Sequence, residues 1–139
     1  TEVIAVCGRN EEMLNRLKEE NRYLPNIHPV GFTDRIPLLM DACDVLFTKP
    51  GGISSTEAMS KHIPMIHTAP IPGCETRNAE FFHYHGMSYS CIDTVQQVKT
   101  ALRLCEDMEY RKTMTGAQQV NAKPDTCHDI YALFRDRAS

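Results

Sequence analysis

Residues 48–58 read TKPGGISSTEA and come directly after the short apolar run VLF at 45–47. A strand, a glycine-rich turn and a helix start, in this order, form a cradle for phosphate. The glycines let backbone N–H groups approach an anion, and the positive end of the helix dipole attracts it. Lys49 adds a cation, and Glu57, one turn into the helix, suits the hydroxyls of a ribose. The segment therefore indicates a nucleotide site.

The same segment has a purely structural interpretation. Ser54 and Glu57 have the spacing of a capping box, which any helix can use at its start. Short glycine motifs also arise often by chance, so these residues alone leave both interpretations open. Neither GxxxxGK[ST] nor GxGxxG occurs, which disfavours a P-loop ATPase and a dinucleotide-binding unit. A second strand-to-helix turn, VCGRN at 6–10, has a single glycine and is too short a signal to interpret alone.

Length and composition are those of one ordinary globular domain. The 139 residues are 42% apolar and 24% charged, and the net charge of -3 argues against a nucleic-acid partner. No apolar run is long enough to span a membrane, and no signal peptide is recognisable. The six cysteines include no CxxC pair, which favours reduced, buried thiols and a cytosolic location.

Short apolar runs alternate with helical periods along the chain. Five strands are predicted, near residues 3–7, 27–31, 45–48, 65–68 and 88–91. This alternation is typical of βαβ units, so we expect an α/β fold: a Rossmann-like parallel sheet of about five strands with helices on both faces. The six histidines have no convincing ligand spacing, so no metal site is expected, and His67 is expected to pack or face solvent.

Several motifs taken together resemble a known family. They are GF at 31–32, DACDVLFTKPGG at 41–52, TEA at 56–58 and PGCExxNA at 72–79. They resemble the C-terminal, donor-binding domain of family 28-like GT-B glycosyltransferases, in particular the monogalactosyldiacylglycerol synthases and processive diacylglycerol glucosyltransferases. The resemblance implies a full-length inverting hexosyltransferase that moves a hexose from a UDP-sugar to a lipid acceptor, with diacylglycerol the expected acceptor.

The resemblance also implies roles for the motif residues. Phe32 and Thr33 match the turn whose backbone pairs with uracil, and Glu57 matches the carboxylate on the ribose hydroxyls. The diphosphate cradle corresponds to Lys49, Gly51, Gly52, Ile53 and Ser54. The residues that match the surroundings of the donor sugar are Gly73, Cys74, Glu75 and Asn78. Family members need no bound metal, because the helix terminus neutralises the leaving UDP. No cofactor is therefore expected, and UDP-sugar is a substrate.

Two departures from the family pattern matter. Cys74 stands where the family usually has glutamine, and a thiol is a poor hydrogen-bond partner for sugar hydroxyls. The family's donor domain also begins one strand earlier and follows an N-terminal acceptor domain that carries the catalytic base. We therefore expect residues 1–139 to be a donor-domain fragment without that strand, without a catalytic residue and inactive alone. The full-length enzyme is expected in the cytoplasm, peripheral at the inner face of the membrane.

Two other function classes stay open. One is a half-domain of a UDP-sugar 2-epimerase, which has a similar nucleotide loop but works by elimination and addition. The other is a non-catalytic UDP-sugar binding module, suggested by the short chain and by Cys74.

Overall fold

A computed structural model of the protein describes residues 1–123 and 125–137. Within them the strands are β1 (Val3–Gly8), β2 (Ile27–Gly31), β3 (Leu46–Thr48), β4 (Met65–His67) and β5 (Tyr89–Ser90). The helices are α1 (Glu11–Glu20), α2 (Ile36–Ala42), α3 (Gly52–Ser60), α4 (Cys74–Tyr84), α5 (Thr94–Glu106), α6 (Met108–Asn121) and α7 (Thr126–Arg137). Each predicted strand is present within a residue or two, so the alternating α/β pattern is confirmed.

The described strands form two parallel sheets, where one was expected. One sheet has the order β1-β2 and the other has the order β3-β4-β5. The chain correspondingly divides into two compact units, Thr1–Leu39 and the residues from Met40 onward. Among the described residues, β1 pairs with β2 alone and β3 pairs with β4 alone, so no ladder connects the two sheets.

The first unit packs α1 on the β1-β2 pair. Asn10 caps α1, because its side-chain oxygen accepts a hydrogen bond of 3.0 Å from the Met13 N–H. Gly31 lies close beneath this helix: a Cβ atom on it would lie 3.3 Å from a methyl carbon of Leu14. Pro29 is accommodated within β2, which pairs on one side only, the position where a strand tolerates a missing N–H.

The second unit has its core around β4, whose three residues are fully buried. Strands β3 and β5 pair with the backbone of β4 on its two sides, and α5 packs against β4. The core cluster consists of Ile66, Ala101, Leu104 and Met114. Gln118 of α6, also fully buried, donates from its amide to the carbonyls of Ile63 and Met87, at 2.8 and 2.9 Å. This side chain ties α6 to the segments that lead into β4 and β5.

The cysteines differ from expectation in their burial. All six are free thiols, but Cys74, Cys105 and Cys127 are exposed and the others are half-buried, so the expectation of buried thiols is wrong. Cys105, for example, lies at an exposed position of α5. Among the described residues, no helix has the length and hydropathy needed to cross a membrane.

Candidate functional site

Two glycine-containing loops leave the same edge of the three-stranded sheet. β3 and β4 are parallel neighbours with Thr48 opposite His67, and the Thr68 N–H donates to the Thr48 carbonyl at 2.9 Å. Residues 49–51 then lead into α3, and residues 68–73 lead into α4. Both helices therefore begin at the carboxyl ends of adjacent strands, the edge where ligands bind in open α/β sheets.

The start of α3 has free backbone donors. Gly51 is the N-cap residue, with φ -75° and ψ 145°, and no side chain caps the helix. The first helical hydrogen bond runs from the Ser55 N–H to the Gly51 carbonyl at 3.1 Å. The N–H groups of Gly52, Ile53 and Ser54 precede it and have no partner within the helix.

This geometry excludes the capping-box interpretation. Ser54 is the third residue of α3 and lies inside the helix, whereas a capping box needs the serine at the N-cap. The helix begins two residues before the predicted start because the extended backbone of Gly51 ends the loop earlier. Glu57 consequently has no part in capping.

Two charged side chains that were predicted to line this cradle are available to a ligand. Lys49 and Glu57 are exposed, and no hydrogen bond or ion pair within the described residues engages either side chain. Glu57 follows Ile53 by one helical turn, so the two share a face of α3, and Ile53 is 79% exposed. A carboxylate and three free N–H groups are thus accessible at the same helix end.

The start of α4 resembles that of α3. Gly73 is its N-cap residue with φ 113° and ψ -120°, a conformation that favours glycine, and again no side chain caps the helix. Cys74 is the first helical residue and is exposed. Its neighbour Glu75 accepts a hydrogen bond of 2.7 Å from the Ile71 N–H, which closes the loop before the helix.

Asn78 connects the two loops. Its amide nitrogen donates to the carbonyl of Pro50 at 3.0 Å, and Pro50 is itself buried. The P-G-C-E-x-x-N motif is thereby joined directly to the T-K-P-G-G motif. Two of the predicted sugar-site residues thus hold the loops in place, Glu75 through one carboxylate oxygen and Asn78 through its amide nitrogen.

Three other helices have a side chain that caps their N-terminus. Asn10, Asp93 and Asp107 cap α1, α5 and α6 through side-chain oxygens. In contrast, α3 and α4 are both glycine-capped and leave their first N–H groups for another acceptor. Two such helix ends at one sheet edge attract an anion with several oxygens, such as a diphosphate.

His67 lies behind the cradle and is fully buried. Its Nε2 is 3.0 Å from the Ser55 hydroxyl and its Nδ1 is 3.1 Å from the Ser88 hydroxyl. Burial lowers its pKa to about 4, with a further contribution from His83. The neutral imidazole thus anchors α3 to β4 as a packed residue. The sequence left packing and solvent exposure both open for His67, and it did not indicate the two serine partners, which come from distant positions.

The predicted uracil turn belongs to the first unit. Phe32 follows β2 directly and is 70% exposed. The Thr33 hydroxyl accepts a hydrogen bond of 3.1 Å from the Arg35 N–H, so this side chain shapes the turn. The guanidinium of Arg9 lies over the Phe32 ring, 5.1 Å from its centroid. Sequence reasoning missed Arg9, although the VCGRN turn marked its position.

Within residues 1–123 and 125–137, no group of three or more His, Cys, Asp or Glu side chains is arranged to hold a metal ion.

Comparison with known proteins gives the family context. The chain is 33% identical over 138 residues to the processive diacylglycerol beta-glucosyltransferase of Staphylococcus carnosus (strain TM300), covering 96% of this chain and 35% of that protein. The enzyme of the same name from Bacillus subtilis (strain 168) is 40% identical over 136 residues, covering 93% of this chain and 35% of that protein. The chain is a relative of the processive diacylglycerol β-glucosyltransferases. It spans about a third of the length of these curated relatives.

Solved structures of other proteins have a fold similar to that of this chain. The crystal structure of Anabaena Alr3699/HepE in complex with UDP-glucose matches 87% of the chain with a TM-score of 0.68 at 20% identity, over 35% of that chain. The glycosyltransferase SnogD from Streptomyces nogalater matches 78% of the chain with a TM-score of 0.55 at 18% identity, over 30% of that chain. No protein-family model matches the chain. The predicted resemblance to GT-B glycosyltransferases is confirmed.

Proposed function

We propose that this chain is the donor-binding part of an inverting glycosyltransferase that moves a hexose from a UDP-sugar to a lipid acceptor, diacylglycerol. The observation that carries the proposal is the pair of glycine-capped helix starts, α3 and α4, joined by the Asn78–Pro50 hydrogen bond. The named activity of the relatives supports the same reaction. The bound UDP-glucose of a protein with the same fold supports the donor class.

In this proposal the cradle serves the leaving group. The N–H groups of Gly52, Ile53 and Ser54 and the cation of Lys49 hold the diphosphate, and Glu57 accepts hydrogen bonds from the ribose. Negative charge grows on the diphosphate as the glycosidic bond breaks. Oriented N–H groups and a helix dipole stabilise that charge without rearranging, so the reaction needs no bound metal.

The donor sugar then lies at the start of α4. Gly73 lets the backbone approach closely, and Cys74 is the exposed side chain at this helix end. Glu75 and Asn78 complete the sugar site, each with an oxygen left beyond the loop hydrogen bond that it makes. The uracil of the donor is assigned to the turn at Phe32 and Thr33. The catalytic base is assigned to an acceptor domain of the longer protein.

The sheet edges support the assignment of this chain to a larger donor domain. Parallel strands are normally covered on both faces, and the open edge of a strand presents N–H and C=O groups with which another strand can pair. In β1, however, Val3, Ile4 and Val6 are 43%, 44% and 45% exposed. Among the described strands, β1 and β3 each pair on one side only. A further parallel strand of the full-length protein would cover such an edge, and its acceptor domain would bring the lipid at the inner face of the membrane.

The test begins with the chain itself. Calorimetric titration with UDP and UDP-glucose is expected to give dissociation constants between micromolar and millimolar, with ADP-glucose weaker. The full-length protein is then given UDP-glucose or UDP-galactose and diacylglycerol in vesicles, and the product is expected to carry an inverted anomeric centre. Binding without transfer to any lipid would favour a non-catalytic module, and release of free UDP with a 2-epimerised sugar would favour an epimerase.

A further inference from the structure

The turn at Gly8, Arg9 and Asn10 has an arrangement that the proposed function leaves unused. Gly8 has φ +57° and pairs with Gly31 in the β1-β2 register. Arg9 and Phe32 are therefore each the first residue beyond a pair of facing glycines. The guanidinium lies 5.1 Å from the centre of the Phe32 ring, within the range of a cation–π contact.

Arg9 is exposed on the turn between β1 and α1. Among the described residues, no carboxylate forms an ion pair with it, although Arg16 pairs with Glu20 and Arg103 pairs with Asp107. The nearby start of α1 is already capped by the Asn10 side chain, so the helix end does not compete for a ligand here. The available group at this point is the guanidinium itself, which has donors only.

The Phe32 ring provides an exposed aromatic surface beside the guanidinium. It is 70% exposed although an arginine covers part of it, so a flat apolar surface and a planar cation are presented together. Proteins stack nucleobases on aromatic rings and on guanidinium planes, and the edges of the bases hydrogen-bond to nearby donors and acceptors.

We infer that Arg9 is the residue that selects the base of the nucleotide, by donating hydrogen bonds to a carbonyl oxygen of uracil beside the Phe32 turn. The inference rests on the proposed function, since it names a specificity residue for that same donor site. Uracil has a carbonyl oxygen at position 4, where cytosine has an amino group. The guanidinium has only hydrogen-bond donors, so it pairs with this carbonyl of uracil but not with the amino group of cytosine, which is itself a donor.

The test compares UDP, CDP and uridine on the wild type, Arg9→Met and Arg9→Lys. Arg16→Met is the matched control, because it removes the same charge from an exposed arginine of the first unit. Arg9→Met is expected to weaken UDP and uridine by a similar factor, about tenfold, and to bring the ratio of UDP to CDP affinity close to one. Arg9→Lys is expected to keep part of the affinity for UDP but little of the preference for UDP over CDP, because lysine lacks the planar fork of the guanidinium. Arg16→Met is expected to change neither quantity.

Each other outcome has a definite meaning. If Arg9→Met leaves the ratio of UDP to CDP affinity unchanged while the wild type binds UDP, base selection by Arg9 is refuted and the proposed function stands. The inference also fails if UDP and CDP weaken equally and uridine does not, because Arg9 then acts on the phosphates. If the wild type binds neither UDP nor UDP-glucose, both proposals are wrong. Melting curves identify a variant that does not fold, in which case the ratio measured on Arg9→Lys decides.

Discussion

Acidification is expected to destabilise the second unit through His67. The side chain is fully buried, and its pKa is lowered from 6.5 to about 4 because burial disfavours the imidazolium. In the unfolded chain the same histidine takes up a proton near its ordinary pKa. Between these two values the unfolded state binds more protons than the folded state, so the free energy of unfolding falls as the pH falls.

The two pKa values set the size of the effect. One pH unit corresponds to about 1.36 kcal/mol, so a fall from 6.5 to about 4 removes about 3 kcal/mol of stability. The loss begins as the pH passes below 6.5 and levels off below about 4, where the folded protein also takes up the proton. This is a large part of the ~5–15 kcal/mol that stabilises a typical domain.

The assay is urea denaturation followed by circular dichroism across this pH range, on the wild type and on His67→Gln. Glutamine keeps a neutral polar side chain that can contact Ser55 or Ser88, whereas the carboxylates contribute equally to both proteins and cancel in the difference. The stability gap between the two proteins is expected to shrink by about 3 kcal/mol from pH 7 to pH 4. A gap that stays constant, or an imidazole that titrates near 6.5 by NMR, would refute the reasoning.

The other predictions concern the donor site. Glu57→Ala is expected to weaken UDP binding by about 1–3 kcal/mol, as for a lost hydrogen bond of a charged group. The melting temperature should stay almost unchanged, because the Glu57 side chain caps no helix. An unchanged affinity for UDP in calorimetry would contradict this prediction. Cys74→Gln is expected to raise the affinity for UDP-glucose or UDP-galactose and to leave the affinity for UDP unchanged, since only the sugar contacts this side chain. Equal gains in affinity for all three ligands would contradict this. Gly73→Ala is expected to cost about 1–3 kcal/mol of stability in urea denaturation, because φ 113° strains any side chain, whereas Gly116→Ala in α6 should be neutral or stabilising.

The predictable part of this protein is the part that depends on local patterns. Strand positions followed from short apolar runs, since these depend on neighbours in the chain. The glycine cradle was also visible in the sequence, because glycines between a strand and a helix start let the backbone approach an anion closely. The resemblance to a family rested on several motifs taken together, because one short motif alone would not support it.

The rest depended on contacts between residues far apart in the chain. Nothing local shows that Asn78 donates to Pro50, that His67 lies between Ser55 and Ser88, or that Arg9 stacks on Phe32. The start of α3 at Gly52 and the exposure of three cysteines were likewise missed, because backbone conformation and helix coverage depend on what packs nearby. Residue order specifies which groups are present and their local conformation, whereas their pairing, burial and pKa values arise only when the folded chain brings distant segments together.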